Sequence, residues 1–309
     1  MQTPLQPGSS PIASDQGIQK WWQLTRPHTL TAAFAPVLLG TALAIEVTSI
    51  NIPLFLATLI ACLLIQAATN MFNEYYDYKR GLDTEESIGI GGAIVRNGIK
   101  PDTVMRLALI LYGISILIGI YICMNTSWWL AVIGLVGMLV GYLYTGGPLP
   151  IAYTPFGELF AGFFMGLLFI VISFYIQTGT VTTTSVLVSI PSFILVGAIL
   201  LSNNIRDFDG DKDFGRKTLA ILVGKKNAVR VLAGMFIVSY IWILALIITG
   251  VTTPWLAVVA LSLPKPITAV KVFKTGKNPL EMMPAMKATA QTNTFFALLL
   301  SVGFFISYL

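Results

Sequence analysis

Two stretches of this chain carry residue types and spacings suited to chemistry. The first is Asn70-Met-Phe-Asn73-Glu74-Tyr75-Tyr76-Asp77-Tyr78-Lys79-Arg80-Gly81-Leu82-Asp83, and the second runs from Asn203 and Asn204 through Arg206, Asp207, Asp209, Asp211 and Asp213 to Arg216, Lys217 and Thr218. Both contain Asn-x-x-x-Asp: Asn73 with Asp77, and Asn203 with Asp207. A spacing of four puts both side chains on one helical face. Asn and Asp offer hard oxygen ligands, which select Mg²⁺ or Ca²⁺ over softer metals. Mg²⁺ is usually held by one or two carboxylates plus substrate phosphates, without a full protein cage. Interleaved Lys79, Arg80, Arg206, Arg216 and Lys217 can neutralise the remaining phosphate charge. Together these residues suit the binding of a diphosphate. A calcium loop over 207–218 is excluded, because its twelfth position is Thr218 where a bidentate Glu is needed. His28 is the sole histidine, which excludes a multi-histidine metal site.

The elements that position these residues belong to a membrane. Of 309 residues, 55% are hydrophobic and only 11% charged, with a mean hydropathy of +0.79. Ordinary soluble domains are about 25% charged, so lipid must be the solvent for most of this surface. A spanning helix needs roughly 20 mostly apolar residues, and nine segments qualify: 29–47, 52–72, 104–124, 127–144, 158–177, 186–203, 230–249, 253–270 and 288–309. Pro264, Lys265 and Pro266 interrupt the eighth, and Pro191 should kink the sixth. Cys62 and Cys123 lie inside apolar runs and read as small core residues. Residues 1–19 are polar, rich in Ser, Pro and Gln, and read as a flexible tail without the apolar core of a cleavable signal; 20–309 read as a single transmembrane domain. The expected fold is all-α and polytopic, with about nine helices around a central cavity.

Charge orients the set. With this parity all 19 basic residues fall on one side of the membrane: before helix 1, between helices 2 and 3, between helices 6 and 7, and around the connection from helix 8 to helix 9. The loops 48–51, 125–126, 178–185 and 250–252 contain none. The positive-inside rule then puts the N-terminus and both acidic motifs in the cytoplasm, in the cell membrane, with no nucleic-acid partner expected. Both motifs end helices that travel in the same direction, which is compatible with a weak internal duplication. Charged loops are often only solvated connections. Carboxylates repeated at the membrane boundary are costly unless paired or metal-bound, and that favours a site. A cation-coupled transporter of an anionic solute is the reading from another class, although transporters usually place such sites near the bilayer midplane.

The paired motifs resemble those of the UbiA superfamily of intramembrane aromatic prenyltransferases, in which an N-D-x-x-D type motif follows helix 2 and a D-x-x-x-D type motif follows helix 6. Here these are Asn73-Glu74-x-x-Asp77, with Glu where the family often has Asp, and Asp207-x-x-x-Asp211, followed by Gly215-Arg216-Lys217-Thr218-Leu219-Ala220. The resemblance spans nearly all of 20–309. It is strongest to the branch that prenylates 1,4-dihydroxy-2-naphthoate in menaquinone synthesis, through Arg26-Pro27-His28-Thr29-Leu30, Tyr144-Thr145-Gly146-Gly147-Pro148, Gly157-Glu158-Leu159-Phe160 and Ala285-x-Lys287-x-Thr289-Ala290-Gln291. The resemblance implies Mg²⁺ held by Asn73, Asp77, Asp207 and Asp211 on the diphosphate of a polyprenyl donor, with Asp77, Asp207 and Asp211 as catalytic residues. It implies transfer of the prenyl group to the naphthoate with loss of CO₂, giving a demethylmenaquinone-type product; 4-hydroxybenzoate or another aromatic acceptor is the alternative within the superfamily. Glu74, Asp83, Asn203, Asn204, Asp209 and Lys217 are expected in support, and Arg26 is a candidate for the acceptor carboxylate or a plain helix anchor. Tyr75, Tyr76 and Tyr78 could shield a carbocation through their ring faces or be ordinary interfacial tyrosines. The stretch 77–103, with Gly89, Gly91, Gly92 and Gly98, could cap the site or be a simple connection.

Overall fold

The computed structural model describes residues 17–83 and 92–309. Among these residues there is helix and no strand. A short helix, α1 (Ile18–Leu24), leads into α2 (Pro27–Ala44), then α3 (Ile52–Lys79), α4 (Pro101–Asn125) and α5 (Trp129–Leu143). A continuous helical run over Gly157–Thr178 comprises α6 (Gly157–Ala161), a π-helical segment (Gly162–Leu168) and α7 (Phe169–Thr178). There follow α8 (Thr183–Arg206), the short α9 (Phe208–Asp213) and α10 (Leu219–Val223), α11 (Lys225–Ile248), a 3₁₀ segment (Pro254–Ser262) joined to α12 (Pro264–Thr275), and α13 (Pro279–Tyr308).

Seven of the described helices are long and apolar enough to cross a membrane. An eighth is reached if α1 and Thr29–Ala44, bent by 61°, count as one span. The remaining expected segment, α5, is apolar but has only 15 residues, below the roughly 20 of a full crossing. The expected break in the eighth segment coincides with the change from 3₁₀ to α-helix before Pro264. Helix α3 runs on to Lys79, past the expected end at 72, so Asn73 and Asp77 sit on its last turns. The expected tail at 1–19 falls mostly outside the described residues, and α1 begins at Ile18.

Local chemistry sets the boundaries. Asn51 caps α3 by accepting the Leu54 N–H at 3.1 Å, and Thr182 and Ser185 form a reciprocal capping box on α8. Pro191 removes one backbone donor within α8, and the carbonyl of Leu187, four residues earlier, accepts the indole N–H of Trp242 at 2.9 Å. Helix α8 is thus continuous through the expected kink. Small residues bring helices together where lipid supplies no hydrophobic drive between them. A Cβ at Gly162 or Gly166 would come within 2.3–2.4 Å of α8 carbonyl oxygens, so the π-helical segment lies directly on α8. The main core joins α2, α7, α8 and α11–α13, and a second cluster gathers Phe72, Ile94, Val104 and Ala108 around the C-terminal end of α3.

Candidate active site

The ends of α3 and α8 converge, and the loop after α9 joins the acidic motifs. Arg216 donates to Asp77 Oδ1 at 3.2 Å and to Asp211 Oδ1 at 2.9 Å, linking positions 139 residues apart. All three side chains are largely buried, so each pair is stronger than an exposed one. The Arg216 guanidinium also lies 4.8 Å from the ring centroid of Tyr153, within cation–π range. Asp207 is paired with its neighbour Arg206 through two hydrogen bonds of 2.5 and 2.6 Å. Asn73 accepts a hydrogen bond from the buried Thr145 hydroxyl at 2.7 Å.

Glu74, the departure from the family pattern, is almost fully buried and fully engaged. One oxygen takes Arg26 at 3.1 Å; the other takes the N–H groups of Gly92 at 2.8 Å and Ile94 at 3.2 Å. Arg26 has the single positive φ among non-glycine residues described, 51°, a conformation that costs free energy and has to be imposed by its surroundings. Asn70 binds the Thr25 carbonyl and the Thr29 hydroxyl, both at 2.8 Å. Glu74 and Asn70 together hold the start of α2 and the 92–94 backbone to α3. Of the proposed 77–103 cap, residues 84–91 lie outside the described part.

Several expected ligands have other partners. The Arg80 guanidinium donates to the carbonyl oxygens of Thr145 and Gly147. Lys79 is exposed over Tyr75 at 5.7 Å, and Lys217 is exposed. Asp209 is at the surface, 3.4 Å from Lys225. Asn204 donates to Glu158 at 2.9 Å. The Tyr76 hydroxyl is engaged with Tyr142 at 2.6 Å, and Tyr78 is exposed.

Beside this polar cluster is a cavity of about 500 Å³ between α3, α4, α5, the Gly157–Thr178 run and α8. Its α3 wall extends from Thr58 to Asn73, about 22 Å of helix axis at 1.5 Å per residue. The wall is apolar along most of its length and polar at one end, where Arg26, Asn70, Asn73, Tyr144 and Asn203 face it. The Asn of each motif therefore opens onto the same cavity. Cys62 and Cys123 both line it, as free thiols. Tyr75, Tyr76 and Tyr78 do not line it, whereas Tyr144, not singled out from the sequence, does. Thr145, Tyr144, Tyr153 and Glu158 are the additions the structure makes. The Tyr144–Pro148 and Gly157–Phe160 segments were the only signal in the sequence for Tyr144, Thr145 and Glu158, and Tyr153 had none.

The donor set fits a hard cation. Among the described residues no three His, Cys, Asp or Glu side chains stand close enough to hold a metal on their own. Yet Asp83 Oδ2 and Asp211 Oδ2 are buried without a hydrogen-bond partner. Burial, chiefly, raises both carboxyls to about 6; Asp77 adds to the rise at each, while Arg26 and Arg96 oppose it at Asp83, and Arg216 opposes it at Asp211. Buried, under-satisfied carboxylate oxygens few in number match an ion that completes its shell with phosphate and water.

An acid-and-arginine cluster at the mouth of an apolar cavity, within a bundle of membrane-spanning helices, defines a multi-pass membrane protein built to hold a molecule with one charged and one greasy end. Residues 33–286 match the model of the UbiA prenyltransferase family. The chain is 66% identical to the 1,4-dihydroxy-2-naphthoate octaprenyltransferase of Bacillus subtilis, covering 93% of this chain and 92% of that one. It is 26% identical to the enzyme of the same name from Escherichia coli, over 94% of this chain and 96% of that one. Solved structures share the fold: a UbiA homolog from Archaeoglobus fulgidus bound to DMAPP and Mg²⁺ (TM-score 0.63, 15% identity, 92% of this chain and 99% of that one) and the apo form of one from Aeropyrum pernix (TM-score 0.68, 14% identity, 92% and 98%). The chain belongs to the UbiA prenyltransferase family.

Proposed function

We propose that this prenyltransferase moves a polyprenyl group from a polyprenyl diphosphate to 1,4-dihydroxy-2-naphthoate, releasing diphosphate and CO₂ and giving demethylmenaquinone in its reduced, quinol form, at the cytoplasmic face of the cell membrane. The observation that carries the reading is the joining of Asp77 and Asp211 by Arg216 beside the apolar cavity. Asn73, Asp77, Asp207 and Asp211 would hold Mg²⁺, with Asp83 in support. Bound there, Mg²⁺ supplies charge stabilisation to the departing diphosphate. Arg216 is placed to take up a phosphate oxygen as its carboxylate partners turn to the cation, and its fork geometry suits that exchange. The apolar wall of the cavity receives the isoprenoid chain and excludes water from the reactive carbon. Arg26, at the polar end, carries a buried Nε without a hydrogen-bond partner, a donor that suits the acceptor's carboxylate. The choice of naphthoate as acceptor is supported by the 66% identity to the Bacillus subtilis enzyme.

Purified protein in liposomes, given Mg²⁺, a long-chain prenyl diphosphate and each aromatic acid in turn, should prenylate 1,4-dihydroxy-2-naphthoate with release of CO₂. Preferred turnover of 4-hydroxybenzoate, with its carboxylate retained, would overturn the acceptor.

A further inference from the structure

Four residues before Asn70, on the cavity face of α3, stands Gln66, which belongs to neither acidic motif. It lines the cavity yet is only 7% exposed. Its Nε2 donates to Asn70 Oδ1 at 3.3 Å. The other polar side chains along this stretch of wall, Thr58, Thr69 and Ser115, donate their hydroxyls to carbonyls four residues earlier in their own helices. Gln66 is turned the other way. Among the described residues no donor meets its Oε1, and that oxygen keeps accessible surface, which the cavity supplies.

The orientation of both amides follows from one backbone carbonyl. The Thr25 carbonyl can only accept, so the Asn70 group facing it at 2.8 Å is the NH₂. The Thr29 hydroxyl already donates to the Arg26 carbonyl at 2.9 Å, so it too accepts from Asn70 Nδ2, at 2.8 Å. Asn70 Oδ1 is left facing Gln66, where it requires a donor. Gln66 thus turns its NH₂ to Asn70 and its carbonyl oxygen to the cavity. A flip of either amide would set acceptor against acceptor.

Gln66, Asn73 and Asp77 share one face of α3, at spacings of seven and four. Gln66 stands about 10 Å along the axis from Asn73, on the side away from the acidic cluster. That separation is comparable to the length of a fused two-ring aromatic. An uncharged, fixed acceptor at this depth selects among the reactants. A metal-bound diphosphate offers acceptors of its own, and an isoprenoid chain has no polar atom, so only a ring hydroxyl can donate to it. We infer that Gln66 is a positioning and specificity residue for the aromatic acceptor, its Oε1 accepting the hydroxyl at ring position 4. The inference rests on the aromatic-acceptor reading above. In 1,4-dihydroxy-2-naphthoate the hydroxyl at position 1 adjoins the carboxylate and donates to it. The hydroxyl at position 4 has no such neighbour and needs a partner in the wall. A site built to hydrogen-bond a hydroxyl rejects the analogue that lacks it, because its own buried acceptor is then left unpaired. Gln66 so discriminates a dihydroxy acceptor from a monohydroxy one.

The test uses the full chain in liposomes with Mg²⁺ and a polyprenyl diphosphate. The substrate is 1,4-dihydroxy-2-naphthoate, and the competitor is 1-hydroxy-2-naphthoate, which lacks only the hydroxyl at position 4. With the native protein the competitor's KI should exceed the substrate's KM by roughly 10–100-fold, the worth of a buried acceptor left unpaired. Gln66→Met keeps the length of the side chain without a strong acceptor. It should raise the substrate's KM by a similar factor while the competitor's KI and the donor KM change little. A pocket merely disordered by the substitution would weaken both acids alike. The inference is overturned if the native protein binds the two acids equally, a comparison that needs no folded variant. It is also overturned if Gln66→Met leaves the substrate's KM unchanged or weakens both acids by the same factor. A native protein that prenylates no aromatic, or that prefers 4-hydroxybenzoate, would overturn the acceptor reading and the inference with it.

Discussion

Asp77 and Arg216 meet at 3.2 Å although 139 residues separate them in the chain. That contact, completed by Asp211 on the other arm of the guanidinium, turns two helix ends into one site. One planar cation placed between two carboxylates can hold both only because its donors fork.

Arg216→Lys should therefore be costly despite keeping the charge, since an ammonium is a point donor and cannot span both partners. The loss of one charge-assisted hydrogen bond is worth about 1.5–3 kcal/mol, so kcat/KM should drop roughly ten- to hundred-fold, mostly through the donor. Steady-state kinetics against prenyl diphosphate check this. Wild-type kcat/KM in the lysine variant would show that the bridge has no part in turnover.

Asp77→Asn and Asp207→Asn each delete a charge while nearly preserving volume. Folding should survive in both, read as unchanged detergent extraction and helical circular dichroism, while turnover collapses. EDTA should abolish wild-type activity and Mg²⁺ restore it. A variant that keeps most of its activity removes that residue from the set of metal ligands.

Glu74→Gln addresses stability more than chemistry. Arg26 would lose its carboxylate partner in a site where Glu74 is nearly inaccessible, and removing one member of a buried pair is strongly destabilising. With Arg26 itself partly exposed, a loss of about 3 kcal/mol is expected, at the lower end for such pairs. Thermal unfolding of the detergent-solubilised variant would show it, and an unshifted midpoint would mean that the Arg26–Glu74 pair contributes nothing to the fold.

Topology rests on charge asymmetry. Reporter fusions after residues 49, 125, 181 and 252 should sit on the outer side, and those after 98, 215 and 276 in the cytoplasm. A cytoplasmic signal at 181 would break the parity on which the orientation of α8 depends.

The chain's membrane character, its helical class and the positions of its two acidic motifs were legible without coordinates, because each is local. Hydropathy over roughly 20 residues reports a span, and a four-residue spacing reports a helical face. The helix count was less legible: α5 is apolar enough to attract notice but only 15 residues long. What long-range packing decides could not be read from composition or spacing. Arg80 and Arg216 look alike in the sequence, yet one is bound to the carbonyls of Thr145 and Gly147 while the other bridges Asp77 and Asp211. Asp209 and Asp211 are two residues apart in α9, and the helical turn sends one to solvent beside Lys225 and the other into the cluster. Glu158 read as one letter of a family segment, and only the packing of α6 against α8 buried its carboxylate and left one oxygen without a partner. The local chain determined which groups are present and on which helix face they stand. The tertiary structure decided which charge meets which, because pairing depends on distances between helix ends that sequence separation does not encode.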